Sequence, residues 1–349
     1  MKSKWNDGNI NSSIFGAVLF LLIAFFGVAY VKWLPYFAKS FVAESKHNIG
    51  ISILSGQAAY VPPISLKAAF EYAVAYGKSI WQALLLGLLL GSGIKTLIPG
   101  RWLSNTLGHL GLRNVVLGGL FAIPCMMCTC CAAPIAIGMR QRKASVGSVV
   151  SWWISNPVLN PATLVFMGFV LGWKWSFFRL ITGMLMVIVV ACLAERYALP
   201  AERKIEEVDL HSSEISHDSL LERWWSEFKT LALGLVPEYI ILVLLLGATR
   251  AWLFPVLGAH DSFFWVIAMA VAGTLFVIPT AGEVPILQGM FALGLGNGPA
   301  AALLMTLPAV SLPSLVMLGR IFSLRTRLVI AGGVVAVGII AGFLATGLF

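Results

Sequence analysis

Residues 327–348 read RLVIAGGVVAVGIIAGFLATGL, an almost uninterrupted apolar run. A helix needs roughly 20 such residues to cross the ~30 Å hydrocarbon layer of a bilayer. Because backbone groups inside lipid must be hydrogen-bonded within their own segment, a run of this kind is predicted to be a helix. Six further stretches meet the same requirement: residues 14–34, 70–97, 146–172, 176–194, 229–256 and 298–319.

The composition of the whole chain agrees with this prediction. Of its 349 residues, 59% are apolar and 11% are charged, and the mean hydropathy is +0.89. A soluble domain cannot bury that much apolar surface, and the alternating pattern of an outer-membrane barrel is absent. The net charge of +9 does not indicate nucleic-acid binding, because the basic residues stand singly or in threes. The sequence therefore predicts an all-α polytopic membrane protein.

One polar segment divides the chain near its middle. Residues 199–227 hold eight of the fifteen carboxylates and no apolar run long enough for a span.

The stretch from Ile14 to Tyr30 is predicted to be a retained helix, because no small-x-small cleavage site follows it. We therefore predict four parts: an amino-terminal helix and external loop (1–69), a first transmembrane repeat (70–197), an acidic cytoplasmic connector (198–228) and a second transmembrane repeat (229–349).

The two halves repeat a series of proline and glycine positions. The members of the series recur 151 residues later in the same order, and chance alone seldom produces so long an ordered match. The first copy is Pro134, Gly138, Gly147 and Pro157, and the second is Pro285, Gly289, Gly298 and Pro308. We predict two homologous halves.

The basic residues predict that the second half is inverted. If residues 115–139 dip into the membrane and return to the same side, Arg101, Arg113 and Arg140 share one face, in line with the positive-inside tendency. Each half then contains three spans and one re-entrant segment. Because three is an odd number, the second half runs in the opposite direction, which also places Arg320 inside.

Four breaks interrupt the apolar segments at matching places. They are residues 124–134, 156–161, 279–285 and 307–313. Inverted repeats with broken helices are a recurrent transporter architecture, in which the solute binds near the midplane where the breaks meet. The alternative is that these prolines only kink packed helices.

The first break reads PCMMCTCCAAP and contains four of the five cysteines. Thiolates and thioethers are soft ligands that suit Cu(I), Hg(II) and trivalent arsenic. Cys125, Cys128, Cys130 and Cys131 are therefore candidate solute ligands. The Cys-x-x-Cys spacing also permits a disulfide, and cysteines in membrane helices can simply be small apolar residues. A resident metal is not expected.

Three polar residues stand at the other breaks. Glu283 lies in PTAGEVP at residues 279–285, and a carboxylate at membrane depth is costly enough to suggest a wet cavity and a proton-coupling role. Asn156 and Asn160 each precede a proline, which leaves a backbone carbonyl without its helical partner. Their amides could bind a polar solute or satisfy the broken backbone. We take Glu283 as the candidate coupling residue and both asparagines as candidate solute ligands.

These motifs resemble those of the bacterial predicted-permease family that includes the organoarsenical efflux permeases. The resemblance covers roughly residues 70–349 and implies an inner-membrane permease with a functional cysteine-containing loop. Where that family has a short Pro-Cys-Ser-Cys-like motif, this chain has four cysteines and two methionines. The matching motifs are PCMMCTCCAAP (124–134), SNPVLNP (155–161), GEVPI (282–286) and LPAVSLPS (307–314).

The expected function is that of a secondary permease working by alternating access. The leading solute class is thiophilic metal(loid)s and organoarsenicals. The alternatives are a membrane thiol–disulfide oxidoreductase, for which the second half lacks a partner cysteine, and a transporter of a sulfur oxyanion. No enzymatic activity, catalytic residue or cofactor is expected. The expected partners are a small solute and the lipid bilayer of the inner (cytoplasmic) membrane, with a second copy of the chain as a further candidate.

Overall fold

The computed structural model describes residues 7–56, 61–203, 219–254 and 262–349, and within these ranges the chain forms helices and no strands. A π-helical turn, Ala29–Trp33, joins the first two helices. In chain order the helices are α1 (Asp7–Val28), α2 (Leu34–Lys46), α3 (Leu66–Leu97), α4 (Gly100–Leu107), α5 (Leu112–Ala122), α6 (Thr129–Gln141), α7 (Val146–Val158), α8 (Pro161–Val170), α9 (Trp173–Tyr197), α10 (Pro200–Arg203), α11 (Leu220–Leu253), α12 (Phe263–Leu275), α13 (Glu283–Ala292), α14 (Asn297–Ala309), α15 (Leu312–Met317) and α16 (Leu324–Leu348).

Six helical segments of the described chain are long and apolar enough to cross a membrane. They are Phe15–Lys46, Leu66–Leu97, Trp173–Tyr197, Leu220–Leu253, Asn297–Arg320 and Leu324–Leu348. On α9, Phe177, Ile181 and Leu185 follow helical spacing and are each more than half exposed, which is the pattern of a lipid-facing stripe. The predicted fold class, an all-α multi-pass membrane protein, is confirmed.

The first half contains a segment that enters the bundle and returns. The Ser145 backbone N–H, which follows α6, donates to the Leu107 carbonyl, which precedes α5, at 2.8 Å. The two ends of the α5–α6 segment therefore meet, as expected for a re-entrant hairpin. A Cβ added at Gly87 of α3 would overlap the Cys131 carbonyl of α6, so close backbone contact between α3 and α6 holds the hairpin in place.

The second half contains the corresponding elements. Helices α7, α8 and α9 begin at residues 146, 161 and 173, and α14, α15 and α16 begin 151 residues later, at 297, 312 and 324. Val266 at the start of α12 and Gly298 at the start of α14 both lie beside Gly342 of α16. Helices α9 and α16 pack antiparallel, since the Trp175 ring stacks on Phe349 with centroids 4.2 Å apart.

The helices are interrupted within or beside the four predicted breaks, but Pro134, Pro157 and Pro308 lie inside α6, α7 and α14. The helical path stops at Met126–Cys128, between α7 and α8, at residues 276–282, and between α14 and α15. Met126 adopts a left-handed backbone conformation with φ 52°, which a helix cannot continue. Each half thus presents two breaks to the centre of the bundle.

Helices occupy both ends of the predicted acidic connector. Helix α11 begins at Leu220, inside the predicted connector 198–228, because Ser219 and Glu222 form a capping box. On the other side, the Glu202 carboxylate of α10 accepts a hydrogen bond from the Ser323 backbone N–H at 2.6 Å, and the Glu202 carbonyl accepts one from Arg140. Residues 204–218 of the predicted connector lie outside the described ranges.

Candidate functional site

A small cavity lies where the breaks of the two halves meet. The first half contributes Cys128, Thr129 and Pro157 to its wall, and the second half contributes Thr280, Glu283 and Pro308 among others. All four predicted breaks therefore supply residues to one space. A polar lining beside broken helices is the arrangement in which transporters bind solutes.

A buried ion pair borders this cavity. Arg179 Nη1 of α9 lies 2.7 Å from Glu283 Oε1 of α13, and the side chains are 0% and 2% exposed. Glu283 occupies the first turn of α13, where the helix dipole favours a carboxylate. Its Oε2 atom is buried and accepts no hydrogen bond from the described residues. Arg179 thus balances the charge of the carboxylate through Oε1, and Oε2 has no hydrogen-bond donor among the described residues.

Arg179 also secures the end of a broken helix. Its Nε donates to the Val158 carbonyl at 3.1 Å, and its Nη2 donates to the Pro157 carbonyl at 2.7 Å. These carbonyls end α7 and have no helical partner. Sequence reasoning missed Arg179, although it is the single charged residue in the predicted span 176–194.

The cysteines separate into two groups. Cys128 Sγ and Cys131 Sγ are 2.9 Å apart, and Cys130 Sγ lies 3.5 Å from Ser311 Oγ of the second half. These three side chains are buried and free of disulfides, whereas Cys125 is half-buried and its thiol contacts the Phe121 carbonyl. Of the four predicted ligands, only Cys128 lines the cavity.

The two predicted asparagines serve the broken backbone. Asn156 Oδ1 accepts from the Met127 backbone N–H at 3.4 Å, and its Nδ2 donates to the Trp152 carbonyl at 2.9 Å. Asn160 Oδ1 caps α8 by accepting from the N–H groups of Ala162 and Thr163. Asn160 Nδ2 is buried without a partner among the described residues. Of the two readings of these residues, the hydrogen bonds of Asn156 favour the structural one.

A second cation reaches the site from the amino-terminal helix. Lys32 lies in the π-helical turn Ala29–Trp33 and is 5% exposed. Its Nζ donates to Thr280 Oγ1 at 3.1 Å and to Tyr36 Oη at 3.4 Å. Sequence reasoning missed Lys32, because it stands near the end of the predicted span 14–34, where a lysine ordinarily reaches the membrane surface.

No group of three or more His, Cys, Asp or Glu side chains is arranged to hold a metal ion within the ranges that the structure describes. The contacting thiols of Cys128 and Cys131 form a pair of soft donors instead. A pair can bind a two-coordinate soft ion or a thiophilic atom that passes through.

Comparison with known proteins reveals relatives along most of the chain. Residues 65–347 match the model of a family described as a predicted permease. The UPF0718 protein YraQ of Escherichia coli (strain K12) is 50% identical over 332 residues, which cover 94% of each chain. The UPF0718 protein MJ0584 of Methanocaldococcus jannaschii is 24% identical, with 75% of this chain and 90% of that protein covered. No solved structure matches the chain.

Proposed function

This chain belongs to the predicted permease family, and from that premise we propose that it is an inner-membrane secondary permease whose solute binds in the cavity between the helix breaks. The observation that carries this proposal is the cavity itself, because residues of both halves line it. A site shared by two halves can open to either side of the membrane when the halves move relative to each other.

We further propose that the halves are inverted repeats. The Gly147 backbone N–H, near the start of α7, donates to Glu195 near the carboxyl end of α9. The start of α14 lies beside Gly342, near the carboxyl end of α16. Because α9 and α16 are antiparallel, these two carboxyl ends lie on opposite sides of the bundle. The corresponding helices α7 and α14 would then enter from opposite faces of the membrane, as alternating access requires.

The proposed solute is small and carries a thiophilic atom. Cys128 lies in the cavity wall and contacts Cys131, so two soft sulfur donors meet at one point. Metal(loid) ions and organoarsenicals bind such donors tightly but exchangeably. Cys130 contacts Ser311 of the opposite half. Its surroundings would therefore change when the halves move, and Cys128 would contact the solute before Cys130 does.

The proposed coupling group is Glu283. Its ion pair with Arg179 links α13 of the second half to α7 of the first, because Arg179 also holds the α7 carbonyls. Protonation of Glu283 would remove the charge that holds Arg179 and would loosen this link. Intramembrane carboxylates that face a cavity commonly carry protons in this way.

The contact between Cys128 and Cys131 favours one second candidate, a membrane thiol–disulfide oxidoreductase. Oxidation of the pair to a disulfide would release two protons and two electrons to a quinone or disulfide acceptor. Mass-spectrometric mapping of cysteine redox states separates the candidates. A permease keeps both thiols reduced during transport, whereas an oxidoreductase cycles them with its acceptor.

Transport into inverted membrane vesicles tests the proposed function. The panel contains Ag(I) as a soft metal ion, trivalent methylarsenical, methylarsonate and thiosulfate, with and without an imposed pH gradient. We expect gradient-dependent accumulation of at least one panel member. The matched control is Glu71→Gln, since Glu71 of α3 is exposed and pairs with Lys67 at 3.9 Å, and it should transport as the wild type does. Accumulation no greater than in vesicles without the protein, for every panel member, would contradict the permease.

A further inference from the structure

The amino-terminal helix docks on both central breaks through two adjacent residues. Lys32 Nζ donates to Thr280 Oγ1 in the second break at 3.1 Å, and Trp33 Nε1 donates to the Pro124 carbonyl in the first break at 2.8 Å. Both residues belong to the π-helical turn Ala29–Trp33, and such turns often occur at functional sites because they redirect side chains out of helical register. This helix lies outside residues 65–347, which the family model matches.

The carboxylate that borders the cavity is already paired, whereas a nearby buried lysine has no carboxylate partner among the described residues. Arg179 and Glu283 neutralise each other at 2.7 Å. Lys32 is 95% buried, yet its hydrogen-bond partners, Thr280 and Tyr36, are both uncharged hydroxyl groups. Among the residues that the structure describes, no carboxylate lies within ion-pair distance of Lys32. A buried cation without a carboxylate partner is costly, and the nearby groups that can carry negative charge are the Cys128 and Cys131 thiols. An anionic solute would stabilise the ammonium group further.

The position of Lys32 makes that charge available to a solute. Thr280 lies in the cavity wall, and Lys32 Nζ donates to its hydroxyl at 3.1 Å, so the ammonium group is one hydrogen bond away from a wall residue. The Cys128 and Cys131 thiols lie within electrostatic range of the same ammonium group. An anion bound beside Thr280 would therefore meet a cation, a hydroxyl and a soft sulfur donor together.

We propose that Lys32 is a specificity-determining residue that selects a small oxyanion carrying a thiophilic atom, such as a sulfur or arsenic oxyanion, as the solute of the central cavity. This inference rests on the proposed function, and it narrows the solute from thiophilic species in general to anionic ones. Neutral and cationic thiophilic solutes would carry no negative charge that could pair with the Lys32 ammonium group. The Thr280 hydroxyl would donate to an anion oxygen and accept from Lys32.

Anion-dependent thermal stabilisation of the purified full-length protein tests the inference without requiring transport. The probes are thiosulfate and methylarsonate, with trivalent methylarsenical as the neutral probe and sodium chloride at equal ionic strength as the salt control. We expect one of the two oxyanions to raise Tm in the wild type, and we expect Lys32→Gln to weaken its apparent affinity by about tenfold or more, the usual effect of losing a charged hydrogen bond. Lys39→Gln is the matched control, because Lys39 lies in the following helix α2 and is exposed.

The outcomes separate this inference from the proposed function. Anion stabilisation that Lys32→Gln abolishes supports the role of Lys32 even if vesicles show no transport. The inference is overturned if neither oxyanion raises Tm, if only the neutral arsenical does, or if Lys32→Gln responds as the wild type does. In the last two cases the permease can still stand. If Lys32→Gln slows the alkylation of Cys128 but leaves the anion-dependent rise in Tm unchanged, Lys32 acts on the thiols and not on the anion. That result would also overturn the inference.

Discussion

Arg179 and Glu283 join the two halves of the chain through a fully buried ion pair, with Nη1 and Oε1 2.7 Å apart. Arg179 at the same time binds the last two carbonyls of α7. A single guanidinium group therefore connects a broken helix of the first half to the first turn of α13 in the second. Any movement that opens the cavity between the halves must keep, break or rearrange this connection.

Replacing the acid of this pair should affect both stability and coupling. Glu283→Gln keeps the shape of the side chain but leaves the Arg179 charge buried without a counterion, which typically costs about 3–5 kcal/mol. We expect membrane insertion to persist, Tm to fall, and transport to lose its dependence on pH. The measurements are thermal unfolding in detergent and vesicle transport between pH 5.5 and 8.

The double variant Arg179→Gln/Glu283→Gln supplies the control. Removing both charges should recover part of the lost stability, because neither charge is then left unpaired, but the hydrogen bonds from Arg179 to the Pro157 and Val158 carbonyls are lost. The pH-dependent transport should stay absent. If Glu283→Gln retains the wild-type rate and pH profile, Glu283 has a structural role only.

The glycine contact between α3 and α6 should be sensitive to one methyl group. A Cβ at Gly87 would overlap the Cys131 carbonyl, so Gly87→Ala must displace the re-entrant hairpin at a cost of about 1–3 kcal/mol. Gly77→Ala in the same helix is the matched control, because its added Cβ would meet no atom of another described segment within 4 Å. We expect Tm to fall for the first variant and to hold or rise for the second. Equal Tm values would show that the hairpin is not held by this contact.

Glu202 should make stability depend on pH outside the membrane-spanning segments. Burial opposes ionisation, but hydrogen bonds from Ser323 and Thr326 at the start of α16 outweigh it and lower the pKa of Glu202 below its ordinary 4.5. Because the folded-state pKa is lowered, the stabilisation is fully present above pH 4.5 and is lost as the pH falls through the folded-state value. Thermal unfolding from pH 7 to 3 should show a smaller pH-dependent loss in Glu202→Gln than in the wild type. If the Tm values of Glu202→Gln and the wild type fall in parallel as the pH is lowered, other groups cause the loss of stability in acid.

Membrane sidedness tests the inverted arrangement. Cysteines introduced at the exposed positions Gln141 and Arg325 should react with an impermeant maleimide from the cytoplasmic side, and cysteines at Lys174 and Leu293 should react from the opposite side. The background carries Cys125→Ser and Cys192→Ser, which removes the two cysteines that are not fully buried. Labelling of Gln141→Cys and Arg325→Cys from different faces would exclude the arrangement.

The sequence was sufficient to predict six of the seven expected spans and the approximate places of the breaks, whereas residues 146–172 form two helices, α7 and α8, instead of one span. A bilayer demands long apolar segments, and a proline inside such a segment interrupts its hydrogen bonding, so both features are local. The pairing of Arg179 with Glu283 was not predictable, because it depends on how two distant helices pack. Lys32 escaped notice for a related reason: its burial follows from the docking of Trp33 on the Pro124 carbonyl, which local sequence does not encode.

The role of Asn156 and Asn160 as solute ligands stays a prediction, and their present hydrogen bonds are to the backbone. Their positions before Pro157 and Pro161 correctly marked the break between α7 and α8. Their side chains bind backbone groups near the break, and neither residue is among those that line the cavity. A break needs polar groups for its own backbone, so a polar residue beside a proline does not by itself indicate a solute ligand.

The most direct test of the cavity as a thiol-lined solute site is vesicle transport by the triple variant Cys128→Ser/Cys130→Ser/Cys131→Ser, measured with the panel member that the wild type accumulates fastest. Serine preserves size and removes the soft donors. The matched control is Cys125→Ser/Cys192→Ser, because neither thiol belongs to the buried group. We predict that the triple variant inserts normally and loses at least nine-tenths of the transport rate, on the order of the tenfold change that one lost interaction produces, while the control keeps it. A triple variant that inserts normally and transports at the wild-type rate would contradict the account.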